Sequence, residues 1–332
     1  MRAPRFWWDK PGAMAALLSP LAAIYGAVAE RRLKQPGARR GIAVICIGNL
    51  TVGGTGKTPT AIAVARILIE AGEKPSFLTR GYGGALPGPV TVEKGHTAAQ
   101  VGDEPLLLAR IAPTVVARRR AAGAALAREQ GATVIVMDDG FQNPSLAKDL
   151  SILVIDGSRG IGNARTLPAG PLRAPLEAQL DCAHAMLIVG ETSGAAPLVI
   201  AARSRKLPLF HATLEPDQSA IATLAGKKVL AFAGIGNPEK FFATLAAAGI
   251  ETPVRRSFPD HHRYRANEAA ALIAEAQREG LALLTTEKDM ARMQGDPGLA
   301  KLAVYARALP VALTVADSDE FRKLVLAACK RG

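Results

Sequence analysis

Cysteine is scarce and carries no pattern. Cys46, Cys182 and Cys329 are the only three in 332 residues, and none has zinc-knuckle or CxxC spacing. That excludes a disulfide framework and a structural zinc site, and it fits a reducing, cytosolic compartment. Aromatic residues are only 5% of the chain, too few for the stacking platforms that single-stranded nucleic acid requires. Acidic residues are the minority sign, 29 against 41 Lys and Arg, for a formal charge of +12. No internal repeat or low-complexity stretch occurs. At 49% hydrophobic and 21% charged, the chain is neither collagen-like nor a disordered tail, and it is long enough for about two domains.

The surplus charge is uneven. Residues 1–40 hold eight basic and two acidic residues, a net +6 and half the total. Such a balance calls for an anionic partner: nucleic acid, a membrane surface or a phosphorylated substrate. Within this segment, residues 11–29 run nineteen positions without a charge, with Trp7 and Trp8 before them and Arg31, Arg32 and Lys34 after. Four readings compete: a cleaved signal with Ala27-Val28-Ala29 as its site, a spanning helix, a helix packed on the next domain, and a helix lying in the membrane interface. Its Ala and Gly content and the central Pro20 make spanning marginal. Tryptophan at headgroup depth and cations on phosphates favour the interfacial reading.

Residues 42–47 form an apolar, β-branched run of strand length. It leads into Gly48-Asn49-Leu50-Thr51-Val52-Gly53-Gly54-Thr55-Gly56-Lys57-Thr58, and apolar residues at helical spacing follow until Gly72. Strand, glycine loop, helix is the context of a phosphate loop. Backbone N–H groups turn onto phosphate oxygens at the helix N-terminus, Lys57 reaches the β- and γ-phosphates, and Thr58 offers its hydroxyl to Mg²⁺. GxxxxGK[ST] would start with glycine at position 51, where this chain has Thr51; the frame is otherwise intact. Nucleotide chemistry of this kind sets aside a secreted fate. A second apolar strand over residues 134–137 delivers Asp138-Asp139, the Walker B arrangement that holds magnesium or its waters. Two adjacent carboxylates at the end of a buried strand need a neutralising cation.

Strand-like runs also appear at residues 76–79, 114–117, 152–155, 186–189 and 198–202. Helical patterns at 104–111 and 120–130 alternate with them. This reads as a mostly parallel sheet covered on both faces, with ligands at the carboxyl ends of the strands. A new strand–turn–helix unit starts at Lys228, with a Gly234-Ile235-Gly236 turn read as structural, and the domain break is placed before it, near 217. The tail from Leu302 holds two more strand candidates and a closing helix, and can return to the first domain.

Phosphoryl transfer needs a group to orient or deprotonate the acceptor hydroxyl. Asp103 and Glu104 open a helix and serve either as such a group or as helix caps. Phe258-Pro259-Asp260-His261-His262 gathers polar side chains in a short loop, without a third ligand at metal spacing. Arg80, Arg119 and Arg173 are arginines in loops where a phosphate could be met.

Together these segments resemble the tetraacyldisaccharide 4′-kinase (lipid A 4′-kinase) family over nearly the whole chain. The resemblance rests on the Trp-bearing N-terminus, the phosphate loop, Arg80-Gly81-Tyr82 and Gly102-Asp103-Glu104-Pro105. It extends to Asp138-Asp139-Gly140-Phe141-Gln142, Leu167-Pro168-Ala169-Gly170-Pro171-Leu172-Arg173, Phe258-Pro259-Asp260-His261 and Thr286-Glu287-Lys288-Asp289. Ala174 departs from the glutamate usual after that arginine. The resemblance implies a P-loop kinase-type three-layer α/β/α domain (residues 41–217) and a second, smaller α/β/α domain (residues 218–332), after a membrane-associating segment (residues 1–40). It implies transfer of the ATP γ-phosphate to the 4′-hydroxyl of a tetraacyldisaccharide 1-phosphate, forming lipid IVA.

By the same resemblance, Thr51, Val52, Gly53, Gly54, Thr55, Gly56, Lys57 and Thr58 bind ATP, and Thr58, Asp138 and Asp139 serve Mg²⁺. Asp103 is the base toward the hydroxyl, supported by His261. Arg80, Tyr82, Glu104, Arg119, Gln142 and Arg173 contact the disaccharide or its phosphate. The expected setting is the cytoplasmic face of the bacterial inner membrane, with no nucleic acid and no obligate protein partner. A GTP-switch protein is the main rival, because Thr286-Glu287-Lys288-Asp289 loosely echoes [NT]KxD with its lysine one place late. A nucleic-acid-stimulated ATPase is the other.

Overall fold

Two parallel sheets carry the chain, as seen in a computed structural model that describes residues 3–330. The strands are β1 (Ala43–Gly48), β2 (Pro75–Thr79), β3 (Val90–Thr91), β4 (Thr114–Val116), β5 (Val134–Asp138), β6 (Leu150–Asp156), β7 (Ala185–Val189), β8 (Leu209–Pro216), β9 (Val229–Ala233), β10 (Val254–Ser257), β11 (Ala282–Thr286), β12 (Ala306–Leu309) and β13 (Val311–Val315). The large sheet has nine strands in the order β13-β8-β7-β6-β1-β5-β2-β4-β3, and the small one has four, β10-β9-β11-β12. Only the two outermost pairs of the large sheet, β13 with β8 and β3 with β4, are antiparallel. The inner strands β1, β2, β5, β6 and β7 are buried along their whole length. That burial is why they read as predominantly apolar runs, since a parallel sheet is covered on both faces.

Alternation within each strand sends side chains to two cores. Val44, Cys46, Ile135, Met137 and Leu153 join one, packed under the helix Arg120–Glu129 through Ala124 and Ala127. Ala43, Ile45, Ile47, Val134 and Val136 join the other, against Ala61, Val64 and Leu68 of the helix Lys57–Glu70 and Phe321 and Val325 of the helix Ser318–Cys329. The closing segment therefore lies on the large sheet: β13 pairs with β8, and its helix packs beside the phosphate-loop helix. The small sheet repeats the scheme with its own two cores. The chain crosses between the sheets after β8 and again at Pro310, between β12 and β13.

One expected strand is a helix. Residues 198–202 belong to the helix Ala196–Ser204, which has Pro197 in its first turn. A five-residue apolar run does not distinguish the two states by itself, and a proline preset for the first turn decides for helix. The strand of that region is β8, whose alternating exposure marks it as near the sheet's edge.

The N-terminal helix Ala13–Leu33 continues through Pro20 and buries only Ala15, Ala22, Gly26 and Leu33. It is the one described helix long and apolar enough to cross a membrane by length and composition. Its inner face docks on the loop before Arg173: Thr166 Oγ1 donates to the Ala22 carbonyl at 2.8 Å, and Gly26 lets Thr166 and Pro175 come close. Trp7 Nε1 donates to the Pro168 carbonyl at 3.0 Å, and Arg159 lies over the Trp8 ring. Met14, Leu17, Leu21, Ile24 and Val28 form an exposed stripe at spacings of three and four on the other face.

Candidate active site

The phosphate loop leaves β1 and turns into the helix Lys57–Glu70, with Gly53 at φ 110° and Gly56 at φ 95°, where a side chain would be strained. Its entry is tied to the Pro-rich loop: Thr51 bridges Leu172, and Val52 N–H donates to the Pro171 carbonyl at 3.0 Å. Thr55 Oγ1 is buried with no partner among the described residues, a hydroxyl ready for an oxyanion. Lys57 Nζ donates to the Gly53 carbonyl at 3.3 Å and lies 3.9 Å from Asp139. Burial pulls its proton affinity down, and Asp139 works against that.

The two acids after β5 are not equivalent. Asp138 accepts the Thr58 hydroxyl at 3.1 Å on Oδ2, while its buried Oδ1 has no partner among the described residues. Burial, then the charges of Glu104 and Asp139, push its carboxyl up to about 7. A buried carboxylate with an orphaned oxygen beside a threonine hydroxyl fits a hard divalent cation. Asp139, with φ 53°, is instead gripped by the Arg173 fork at 2.8 and 3.2 Å. Arg173 also donates to the Thr51 carbonyl at 3.1 Å and reaches Gln142 at 3.5 Å. Gln142 in turn donates to the Asn49 carbonyl and to Gln179. Arg173 and Gln142, expected on substrate, thus brace the phosphate loop in this structure.

A second cluster lies across the cleft. Asp103 starts the helix Asp103–Leu108 and is buried to 3% side-chain exposure. Its Oδ2 meets His261 Nδ1 at 3.2 Å and Arg292 Nε at 2.6 Å, and its Oδ1 accepts the Glu104 N–H at 3.0 Å. Burial alone would raise this carboxyl. The His261 hydrogen bond and the charges of Arg292 and Lys288 outweigh it and hold the group well below the usual carboxylate range. His261 has φ 54°, left-handed backbone that a non-glycine residue adopts rarely and mostly at sites held by their surroundings. Its ring packs on Tyr82 at 4.9 Å and is 26% exposed, so His261 lies between Asp103 and the cleft. Desolvation lowers its proton affinity, but Asp103, by hydrogen bond and charge, wins and raises it.

These clusters face one cleft of about 1250 Å³, lined by the phosphate loop, Tyr82, Glu104, Asp139, Arg173, His261 and Lys288. Among the three consecutive arginines, Arg118 and Arg119 are exposed and Arg120 is buried. Burial, followed by the charge of Arg80, lowers Arg120 to about 10. Arg120 turns inward and donates to the Ala117 carbonyl, while Arg119 is exposed as the helix N-cap. The Gly234-Ile235-Gly236 turn does more than join a strand to a helix: Gly236 has room for no more than a methyl before meeting Asp260 and the Gly54 N–H.

A nucleotide loop, a cation-ready carboxylate and an Asp–His pair in one cleft describe a phosphotransferase, and comparison with known proteins names its kind. The family model of tetraacyldisaccharide-1-P 4′-kinase matches residues 14–330. The chain belongs to the tetraacyldisaccharide 4′-kinase family. Among its relatives, a tetraacyldisaccharide 4′-kinase of Methylobacterium sp. (strain 4-46) is 55% identical over 100% of this chain and 99% of its own. Another, from Methylobacterium nodulans, is 56% identical over 96% of this chain and 93% of its own. The crystal structure of the "apo" form of LpxK from Aquifex aeolicus in complex with ATP is similar at a TM-score of 0.71 and 26% identity, covering 95% of this chain and 99% of that one. The chain is thus an ATP-dependent kinase of lipid A biosynthesis, phosphorylating a 4′-hydroxyl.

For this kinase, sequence reasoning left out Arg292 and Gln179, and it left open which of Arg118, Arg119 and Arg120 meets substrate. Arg292 follows Lys288 by four residues on one helix, which puts both on one face. That spacing, read together with the Thr286-Glu287-Lys288-Asp289 motif, was the available signal.

Proposed function

We propose that the 4′-hydroxyl of the tetraacyldisaccharide 1-phosphate enters the cleft beside His261 and attacks ATP held on the phosphate loop. The observation that carries this reading is the order of the dyad: His261 faces the cleft and Asp103 is buried behind it, bound to Nδ1. In this arrangement His261 Nε2 takes the hydroxyl proton, and Asp103 fixes the tautomer and balances the imidazolium. This departs from the base role that resemblance gives Asp103, for a carboxylate held so acidic is a weak base. The hydroxyl oxygen forms its bond to the γ-phosphorus as the bond to the β-bridging oxygen breaks, ADP leaves with that electron pair, and His261 returns its proton to solvent. Lys57 and the loop N–H groups stabilise the charge gathering on the phosphoryl oxygens. Mg²⁺, when bound by Thr58 and Asp138, neutralises phosphate charge.

Arg80, exposed just after β2, meets the substrate's own phosphate, with Tyr82 against the sugar. The N-terminal helix rests its exposed stripe in the cytoplasmic leaflet of the inner membrane, with Arg31, Arg32, Lys34, Arg39 and Arg40 on anionic headgroups. Asp103→Ala and His261→Ala should each cut kcat by ~10²-fold or more while nucleotide affinity stays within about twofold, as for loss of a general base. Unchanged turnover in either variant rejects the dyad.

A further inference from the structure

The Asp103–His261 pair is held by a cation from the other sheet. The helix Glu287–Met293 follows β11 of the small sheet and presents Lys288 and Arg292 to the helix Asp103–Leu108 of the large one. Lys288 Nζ binds Glu104 Oε1 at 2.6 Å. Arg292 is 6% exposed; its Nε donates to Asp103 Oδ2 at 2.6 Å, and its Nη2 lies in ion-pair range of the same oxygen at 2.5 Å without a hydrogen bond. Its Nη1 donates to Asp289 Oδ1 at 2.7 Å and to the Gly234 carbonyl at 2.6 Å. Asp289, fully buried, is fixed in turn by the Gly234 N–H, the Tyr264 hydroxyl and Thr286. A buried arginine whose fork joins two carboxylates and a carbonyl is a rigid strut, because the planar guanidinium has one orientation that satisfies all three.

We infer that Arg292 is a positioning residue for phosphoryl transfer. It holds Asp103 ionised and in place across the cleft, so that Asp103 binds Nδ1 of His261 and leaves Nε2 for the incoming hydroxyl. This rests on the reading of His261 as proton acceptor. The charge balance supports it: Asp103, Asp289 and Asp260 outnumber the single charge of Arg292, so the cluster welcomes an imidazolium when His261 carries the substrate's proton. The charged groups facing His261 are Asp103 from the helix Asp103–Leu108, Arg292 from the helix Glu287–Met293, and Asp260 on its own loop at 3.9 Å, with the Tyr82 ring on its remaining side. It also gives the Thr286-Glu287-Lys288-Asp289 motif its work: Asp289 anchors the strut and Lys288 holds the neighbouring acid.

The test is the kcat–pH profile, with γ-labelled ATP, Mg²⁺ and detergent-dispersed tetraacyldisaccharide 1-phosphate, for the full chain and its Arg292→Lys and Arg292→Met variants. Activity needs neutral His261, so it rises with pH through the His261 pKa. Arg292 opposes protonation of His261, so its removal should move that limb to higher pH, by about 0.5–1 unit in Arg292→Met. Turnover at the plateau should fall about 30-fold or more, with KM for ATP within about twofold. Arg292→Lys keeps the charge and loses the fork; its limb should stay within about 0.3 unit of wild type while kcat falls about tenfold. A Met variant with the wild-type limb, or a Lys variant with wild-type kcat, overturns the role. If Arg292→Met does not fold, the Lys variant decides alone by the same criteria. Loss of label in wild type at every pH would instead sink the kinase reading itself.

Discussion

Replacing Leu17, Leu21 and Ile24 together by Ser tests how the kinase reaches its lipid. These side chains are 73%, 58% and 66% exposed and lie on the face of the N-terminal helix turned away from the protein. Fully burying one such side chain contributes ~1.5–3 kcal/mol. With about two-thirds of each still to be buried, seating the stripe in a leaflet gains roughly 4 kcal/mol for the three, a partition coefficient larger by about a thousandfold. The folded core should not notice, because the docking contacts run through Ala15, Ala22, Gly26 and Leu33; the change in stability should stay within about 0.5 kcal/mol. Co-sedimentation with vesicles containing phosphatidylglycerol measures the partition directly. The wild type should bind in low and moderate salt. The triple variant should show only weak, salt-sensitive binding carried by the basic residues, at about 1 kcal/mol each near the surface. A triple variant that sediments like wild type in moderate salt refutes the stripe as the anchor.

Two further outcomes follow from the site. Burial and the charges of Glu104 and Asp139 push the Asp138 carboxyl up to about 7, so a divalent cation must displace its proton. Apparent Mg²⁺ affinity, read by isothermal titration in the presence of a non-hydrolysable ATP analogue, should therefore weaken about tenfold per unit as pH falls below 7 and level off above it; a flat profile would remove Asp138 as the Mg²⁺ ligand. Gly236→Val places branched carbon where a Cβ already sits 3.3 Å from Asp260 and 3.5 Å from the Gly54 N–H. Overpacking of about 1 kcal/mol should raise KM for ATP roughly fivefold, with Gly236→Ala near wild type; equal KM in the Val variant would mean the turn does not bear on the nucleotide.

What could be read along the chain was chemistry written in consecutive residues. The phosphate loop and Asp138-Asp139 are local, since a strand, a glycine turn and a helix start fix their own geometry. The inner strands were legible because burial on both faces leaves them predominantly apolar, with few polar residues such as Ser76 and Ser151 inside them. The run at residues 198–202 was not, because five apolar residues satisfy a helix face as well as a strand, and Pro197 had to be weighed against them. Arg118, Arg119 and Arg120 are identical in kind; only the phase of the helix beginning at Arg120 turns that one inward. Arg173 looked like a ligand for substrate phosphate, yet its fork matches a carboxylate equally well, and the fold supplies Asp139. Arg292 was hidden for a deeper reason. Its partner lies 189 residues away on the other sheet; the four-residue spacing from Lys288 marks the helix face it shares, but not the carboxylate that docking two lobes brings to that face.

The most direct test of the whole account is the identity of the product. Wild-type chain, γ-labelled ATP, Mg²⁺ and tetraacyldisaccharide 1-phosphate should yield a bisphosphorylated lipid, with mass spectrometry and ³¹P NMR placing the new phosphate on the 4′-oxygen and ADP formed in equal amount. Label released only as inorganic phosphate, or placed on any other acceptor, would contradict it.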